Sequence, residues 1–577
     1  MGSIYITLSL YFSVLILLGI VFSRRNKNLS DYVRGGAQGT WWMVGSSMFM
    51  AGISAFTFTG NASAAFDAGP SMLIIYVANC VGFLVAWKFL AALFRRTRAF
   101  TMADIVRDRY GVGIEQVVAY AGLMVGPLHA AVQLWALAMF TSSIFSIPLL
   151  PCIVVIGCVV VFYSLTGGKW AVMATDFVQS LIMIPVTILV AGLSLWHMGG
   201  WDAFVTSFSD PRFASDFSFV KDSDQFPDAK FSWSWIWAIF FMQILSQVGL
   251  GSASRYFSAK DEREASRGAL LAFFLMFVGA ALWFLPPMVA RFLYEEEVLA
   301  MDVSDPAAAS YAFMALKVLP PSMVGIMVAA MFSATMSSMD SGLNEQTGII
   351  VRNLLPRVRA RLGMGNMGDR ANLLACKLVT ALLGVLVVGY AGALSQQTEI
   401  RLFDIFFFLA PLISMPMALP LLAALFIKRI PYWSYFVIFA FCAAPSLWSL
   451  VDAELGGEAW SVQERTLGVF VGFGLSLVIC RLGYRGDKVT NYSKRSDAFF
   501  DKLSKPVDFK DEIGASKDKD QLTLMGRVCL LAAGLLCLLF FGAGEWADVF
   551  SVTFLVASVA AVGGLLLLAA GREPSSE

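Results

Sequence analysis

The chain has 577 residues, 58% hydrophobic and only 14% charged, with a formal net charge of +1. A soluble chain carries roughly a quarter charged residues, so most of this molecule's outside must face lipid. The balanced charge leaves no field to gather nucleic acid or an acidic partner.

Apolar runs of spanning length predict helices over 4–23, 41–65, 70–94, 115–142, 148–166, 171–197, 233–254, 268–292, 318–351, 373–396, 402–427, 431–452, 464–483, 525–543 and 548–570. None alternates with the two-residue period of an outer-membrane barrel, so the spans are helical and number about fifteen. The first run lacks a basic n-region and a small-residue cleavage site, and Arg24-Arg25-Lys27 follows it, which predicts a retained helix and not a signal peptide. One set of connections carries Arg34, then Arg95, Arg96, Arg98, Arg107 and Arg109, then Arg255, Lys260, Arg263 and Arg267, then Arg352, Arg357, Arg359 and Arg361, then Lys428 and Arg429. The other set holds Asp67, the 198–232 loop, Glu295-Glu296-Glu297 and Asp452 with Glu454 and Glu458. The positive-inside rule puts the first set in the cytoplasm of a plasma (inner) membrane protein, with the N-terminus outside and the C-terminus inside.

Span two gathers glycine and hydroxyl residues at Ala51-Gly52-Ile53-Ser54, where either an unbroken helix or a break exposing backbone carbonyls at mid-membrane is compatible with the composition. Near the cytoplasmic start of span six lies Asp176, which alone reads as an interfacial residue and beside a hydroxyl stripe as a cation ligand. Span seven repeats the polar cluster of span two with Gln243, Ser246, Gln247, Gly249, Gly251 and Ser252, then Arg255. Spans two to six and seven to eleven are therefore five-helix blocks of opposite orientation, each opened by a Gly-interrupted helix, the mark of an inverted repeat. On span nine, Ser333, Ser337, Asp340 or Ser341, and Asn344 recur at helical spacing, a stripe of hard oxygen ligands suited to a small cation. Packing through small residues accounts for the serines but not for Asp340. Between spans thirteen and fourteen, residues 484–523 read as an amphipathic or flexible solvated connector. The eight cysteines lie in or beside apolar runs without C-x-x-C spacing, and two histidines are too few for a His-based metal or redox centre.

Ser30-Asp31-Tyr32 leading into Trp41-Trp42, Tyr163-Ser-Leu-Thr-Gly-Gly-Lys-Trp followed by Thr175-Asp176, Arg255-Tyr256, and Phe332-Ser-Ala-Thr-Met-Ser-Ser-Met-Asp-Ser-Gly342 occur in order on the expected helices. In these marks the chain, to about residue 483, resembles the sodium/solute symporter family of sodium-coupled sugar, proline, pantothenate and sialic acid carriers. The resemblance implies an all-α membrane protein with a LeuT-like core of two inverted five-helix repeats. Its expected segments are 1–40 (leading helix and loop), 41–200 and 201–427 (the repeats), 428–483 (two trailing helices), 484–523 (linker) and 524–577 (two C-terminal helices). It further implies a main sodium site of the carbonyls of Met50, Ile53 and Ala334 with the hydroxyls of Ser337 and Ser338. A second cation would use Asp176, Asp340 and Ser341, with Ser337 shared, although the family often has serine where Asp340 stands.

Expected pocket residues are Phe56, Thr57, Asn61, His129, Gln133, Gln243, Ser246 and Gln247. Phe56-Thr57 stand where related sugar carriers have Glu-Gln, and Gly249 where they have Asn, which argues against a hexose held in their manner. The expected function is sodium-driven import of a small polar solute (sugar or polyol, amino acid or organic acid) by alternating access, by a monomer in the lipid bilayer. The alternatives are proton coupling through Asp176 or Asp340, and a membrane sensor with a symporter-like domain. An enzyme is not expected, because no Ser-His-Asp set is apparent.

Overall fold

The computed structural model describes residues 11, 13, 27–145, 147–248, 250–303, 305–396, 402–484, 490–542 and 546–572. Twelve helices among the described residues are long and apolar enough to cross a membrane, and Leu149–Leu165 and Ala307–Val318 are shorter apolar ones. Apart from Tyr11 and Ser13, the expected first span lies outside the described residues.

Span two is broken. Helix α1 (Trp41–Ala51) stops at Gly52, and α2 (Ala55–Phe58) and α3 (Gly60–Ala68) resume the path. Ser54 restarts it because its side chain accepts from Phe56 N at 3.2 Å, while Thr335 Oγ1 accepts from Ala55 N at 2.8 Å. Two orphan amides are thus satisfied without water. Helix α4 (Leu73–Val85) continues through a π-helical turn to Arg96. A short helix α5 (Met102–Tyr110) then leads into α6 (Val112–Phe145), α7 (Leu149–Thr166) and α8 (Lys169–Met198). The second block runs through α9 (Trp233–Val248), α10 (Leu250–Ser258), α11 (Glu262–Trp283), α12 (Leu285–Leu299), α13 (Pro321–Gly348), α14 (Asp369–Leu394), α15 (Leu402–Leu409) and α16 (Met415–Phe426). Gly249, expected at the break in span seven, lies outside the described residues.

The packing sorts these helices into two bodies. In one, α1 and α4 pack on α9, α10 and α11; in the other, α6 and α7 pack on α13 and α14. Each body takes the corresponding pair from each block, as two intertwined repeats must. Helix α8 lies between them, against both α1 and α13.

After α17 (Ser434–Glu454) and α18 (Val462–Gly483), the expected connector is, from residue 490, amphipathic and packed rather than flexible. It forms α19 (Asn491–Ser504) and α20 (Phe509–Glu512), and Phe499, Leu503, Val507 and Phe509 are buried. The few apolar residues of this polar stretch share an inner side, and its charges find partners on the loops beneath. The hairpin of α21 (Asp518–Leu536) and α22 (Trp546–Arg572) follows, with α22 against α8 and α13.

Candidate functional site

The break in span two leaves backbone carbonyls without helical partners, and α13 crosses it. Ser338 Oγ lies 3.4 Å from Ala51 O, 3.2 Å from Ile53 O and 3.3 Å from Ala334 O. The carbonyl facing Ser338 at the end of α1 is that of Ala51, one residue on from the expected Met50, which is itself fully buried. An array of three carbonyl dipoles and a hydroxyl is a set of hard, uncharged oxygen donors, which fits a small monovalent cation.

A second polar cluster lies beside the first along α13. Asp176 Oδ2 accepts from Ser47 Oγ at 2.5 Å, and Ser47 Oγ accepts from Arg255 Nε at 3.2 Å. Ser337 sits beside the Asp176 carboxylate. Ser341 Oγ is buried without a hydrogen-bond partner, while Ser337 and the Asp176 carboxylate lie within hydrogen-bonding reach of each other. Buried polar atoms are normally satisfied, so this incompletely paired group of oxygens has room for a ligand. Asp340 is buried nearby and accepts from Ser164 Oγ. Tyr11 also reaches this region, its hydroxyl meeting Ser333 Oγ and accepting from Gln179 Nε2 at 3.2 Å.

Sequence reading missed Ala51, Thr335, Ser47, Ser164 and Tyr11. Ala51 lay inside the expected break, and Ser164 and Thr335 inside the quoted motifs, but their contacts, like those of Ser47 and Tyr11, become visible only when helices cross.

Beside the break lies a cavity of about 130 Å³, lined by all eight expected pocket residues: Phe56, Thr57, Asn61, His129, Gln133, Gln243, Ser246 and Gln247. The sequence reading missed Tyr76 and Asn79, which also line it, although an amide inside an apolar span is itself a signal. Asn61 Nδ2 donates to Tyr76 OH at 3.0 Å, and Tyr76 OH donates to Thr57 Oγ1 at 2.9 Å. Asn61 Oδ1, Asn79 Oδ1 and Gln133 Oε1 are buried acceptors without partners. No Asp, Glu, Lys or Arg side chain lines this cavity among the described residues.

A larger cavity of about 290 Å³ shares His129, Val132, Gln243 and Ser246 with the first and extends past Gln346 and Ile349 to Met102 and Ala418. It leads toward the arginine-rich side, and its lining is mainly apolar, with Glu345 its one acidic residue.

The chain is 23% identical to the sodium/sialic acid symporter of Aliivibrio fischeri over 81% of this chain and 92% of that one. It is 23% identical to sodium/glucose cotransporter 1 of Ovis aries, over 73% of this chain and 67% of that one. Identity to sodium/myo-inositol cotransporter 2 of Sus scrofa is 26% over 61% of this chain and 56% of that one. Among solved structures, a substrate-bound, outward-open sodium-coupled sialic acid symporter superposes with a TM-score of 0.70 at 18% identity, covering 84% of this chain and 99% of that one. A nucleobase-cation-symport-1 family transporter superposes with a TM-score of 0.52 at 13% identity, over 82% of this chain and 99% of that one. Both share the LeuT-like fold expected from the sequence, and the curated relatives are transporters, not enzymes. The profile of the Sodium:solute symporter family matches residues 32–432, and this multi-pass membrane chain belongs to that family.

Proposed function

We propose that the chain imports a small, uncharged, donor-rich polar solute, a polyol or a compound of similar chemistry, together with sodium by alternating access. The observation that carries the sodium assignment is the group of carbonyls from Ala51, Ile53 and Ala334 around Ser338 Oγ at a helix break. A cation held there bridges α1 to α13, one from each body, so its binding favours one arrangement of the bodies over the other. Such differential affinity is what coupling requires.

The solute class rests on the smaller cavity. Unpartnered amide oxygens of Asn61, Asn79 and Gln133 call for hydrogen-bond donors on the ligand. The absence of an ionisable anchor among the lining residues other than His129 argues against a carboxylate held by charge. The sialic acid, glucose and myo-inositol relatives carry polyhydroxylated solutes, and among these the uncharged members match the lining better. We place the chain in the plasma membrane with the arginine-rich loops inside, the N-terminus outside and the C-terminus inside, acting as a monomer.

Sodium-dependent uptake in proteoliposomes, preceded by a thermal-shift screen of polyols, sugars and amino acids in sodium and in potassium, tests this reading. A polyol that stabilises the protein in sodium alone, and enters only with sodium, is the expected outcome. One observation favours a rival: Asp340 accepts from Ser164, a contact that a protonated carboxyl satisfies equally well. Undiminished uptake without sodium, driven by a proton gradient, would establish that rival.

A further inference from the structure

Residues 490–521 tie together parts of the molecule that alternating access must move apart. The first half grips the side of the larger cavity formed by α5 and α16. Helix α19 packs on α5; Lys502 Nζ meets Asp108 Oδ2 at 2.9 Å and Arg495 donates to Tyr110 O at 3.2 Å. Tyr492 OH donates to Ile430 O at 2.8 Å, just past the end of α16. Between them Arg109 is fully buried, with its guanidinium near the rings of Tyr492 and Phe500 and an Nη2 donating to Ile427 O and Lys428 O at 3.1 and 2.9 Å. Met102 and Ala103 of α5 and Met415 and Ala418 of α16 line the larger cavity, so this half holds that wall.

The second half is fastened to the body of α1, α4 and α11, whose Ala91–Arg96 end α19 also touches, whereas α5 packs chiefly on α6 of the other body. Arg98, just beyond α4, donates through Nε to both oxygens of Glu512 at 2.8 and 2.9 Å, and through Nη2 to Pro506 O at 2.9 Å. Glu262 at the start of α11 accepts from Val507 N at 2.9 Å. Lys260 donates to Ser516 Oγ at 2.8 Å and Asp518 Oδ2 at 2.7 Å, and Gln521 Nε2 donates to Gln38 O at 3.0 Å. These ties are spread along the segment and reach both bodies on the side toward which the larger cavity extends. Closing that cavity brings its walls together and must displace some of them.

We propose that residues 490–521 are a strap that holds the two bodies in the arrangement open toward the arginine-rich side, and so sets how readily the carrier returns to the opposite arrangement. The strap rests on the alternating-access reading but not on the identity of the solute. Its test needs no substrate.

In the full chain with exposed Cys158 and Cys537 replaced by serine, Gly122→Cys supplies a reporter in the larger cavity, where an added Cβ meets only the Gln346 amide at 3.8 and 4.0 Å. The readout is its rate of modification by a soluble maleimide in sodium-free buffer, on protein that elutes as a single peak. Lys502→Asp with Glu512→Gln is expected to slow modification at least threefold. Adding Asp108→Lys should recover part of the loss. Insertion of Gly-Ser-Gly-Ser between Ser504 and Lys505 interrupts the Asp501–Lys505 pair and the Lys505 N–Lys502 O bond within the segment, slackens the strap while sparing the Lys502–Asp108 and Glu512–Arg98 ties, and should slow modification as well. A misfolded variant would expose the reporter and react faster, so slowing on a single peak cannot come from unfolding. If the slackened chain reacts at the parent rate or faster, the strap does not hold this arrangement. Sodium should itself slow labelling of the parent; failure of that effect alone strikes the sodium-coupling reading and leaves the sodium-free comparison standing.

Discussion

Ser338 is the residue on which the sodium assignment turns, because its hydroxyl meets carbonyls from both α13 and the broken span. Ser338→Ala removes one oxygen donor and leaves the helix intact, since alanine is the better helix former. The expected result is at least a tenfold rise in the sodium needed for half-maximal uptake, on the order of 1.4 kcal/mol or more of lost binding. Ser337→Ala should act in the same direction through the Asp176 cluster. If neither variant changes sodium dependence, while both insert and fold, the cation site lies elsewhere. Asn79 separates cation from solute. Asn79→Leu deletes an unpartnered acceptor in the smaller cavity and is expected to weaken solute binding roughly 3- to 10-fold, the net value of about one buried hydrogen bond. Isothermal titration in saturating sodium should show this loss, with sodium affinity in the absence of solute unchanged. A parallel loss of sodium affinity would mean that Asn79 shapes the break rather than the solute site.

At the scale of the helix, much was legible and the rest was not, for identifiable reasons. Gly52 and Ser54 marked where a break was possible, because a helix stop and an N-cap have local signatures, and seven of the eight pocket residues are polar groups in or beside apolar spans, Phe56 being the exception. The strap was illegible because its helices are short and polar, and their order comes from partners more than 200 residues distant, such as Glu262 for Val507. The same holds for the knot at the start of α6. Asp104 accepts from Arg352 Nε at 2.8 Å and Asn353 Nδ2 at 3.1 Å, while Glu115 accepts from Asn353 at 2.7 Å and Arg357 at 2.6 Å. Burial pushes the Asp104 carboxyl up, but Arg352 and Arg107 outweigh it and hold it below its ordinary value. A depressed carboxylate stabilises the fold above its unfolded pKa of about 3.9 and loses that contribution as pH falls through the lower folded value. Asp104→Asn should therefore cost about 2 kcal/mol at pH 7, less than a fully buried pair because Arg352 and Arg107 are partly exposed. The deficit, read as a lower Tm, should shrink as pH drops below about 4. A deficit that is constant with pH would mean that the charge of Asp104 contributes nothing.

For the whole molecule, the open question with a thermodynamic answer is how many sodium ions accompany each solute. On the proposed reading, the cage at Ser338 holds one. The oxygens of Asp176, Ser337 and Ser341 leave room for a second, and the carboxyl of Asp340 is buried beside them. With an uncharged solute, each sodium carries one charge across the membrane, worth roughly 2.3 kcal/mol per 100 mV. A tenfold solute gradient is worth about 1.4 kcal/mol. Balancing the two, the zero-current voltage shifts by about 60 mV per tenfold solute gradient if one sodium moves, and by about 30 mV if two do. The geometry predicts the smaller shift. Asp340→Asn removes the negative charge nearest the second cluster while sparing Ser338, so it should move the protein from about 30 toward about 60 mV without abolishing current. Proteoliposomes clamped with potassium and valinomycin provide the measurement. A native shift of about 60 mV would mean that the second cluster holds no transported ion, and that Asp176 is neutralised by Arg255, to which Ser47 links it through hydrogen bonds of 2.5 and 3.2 Å.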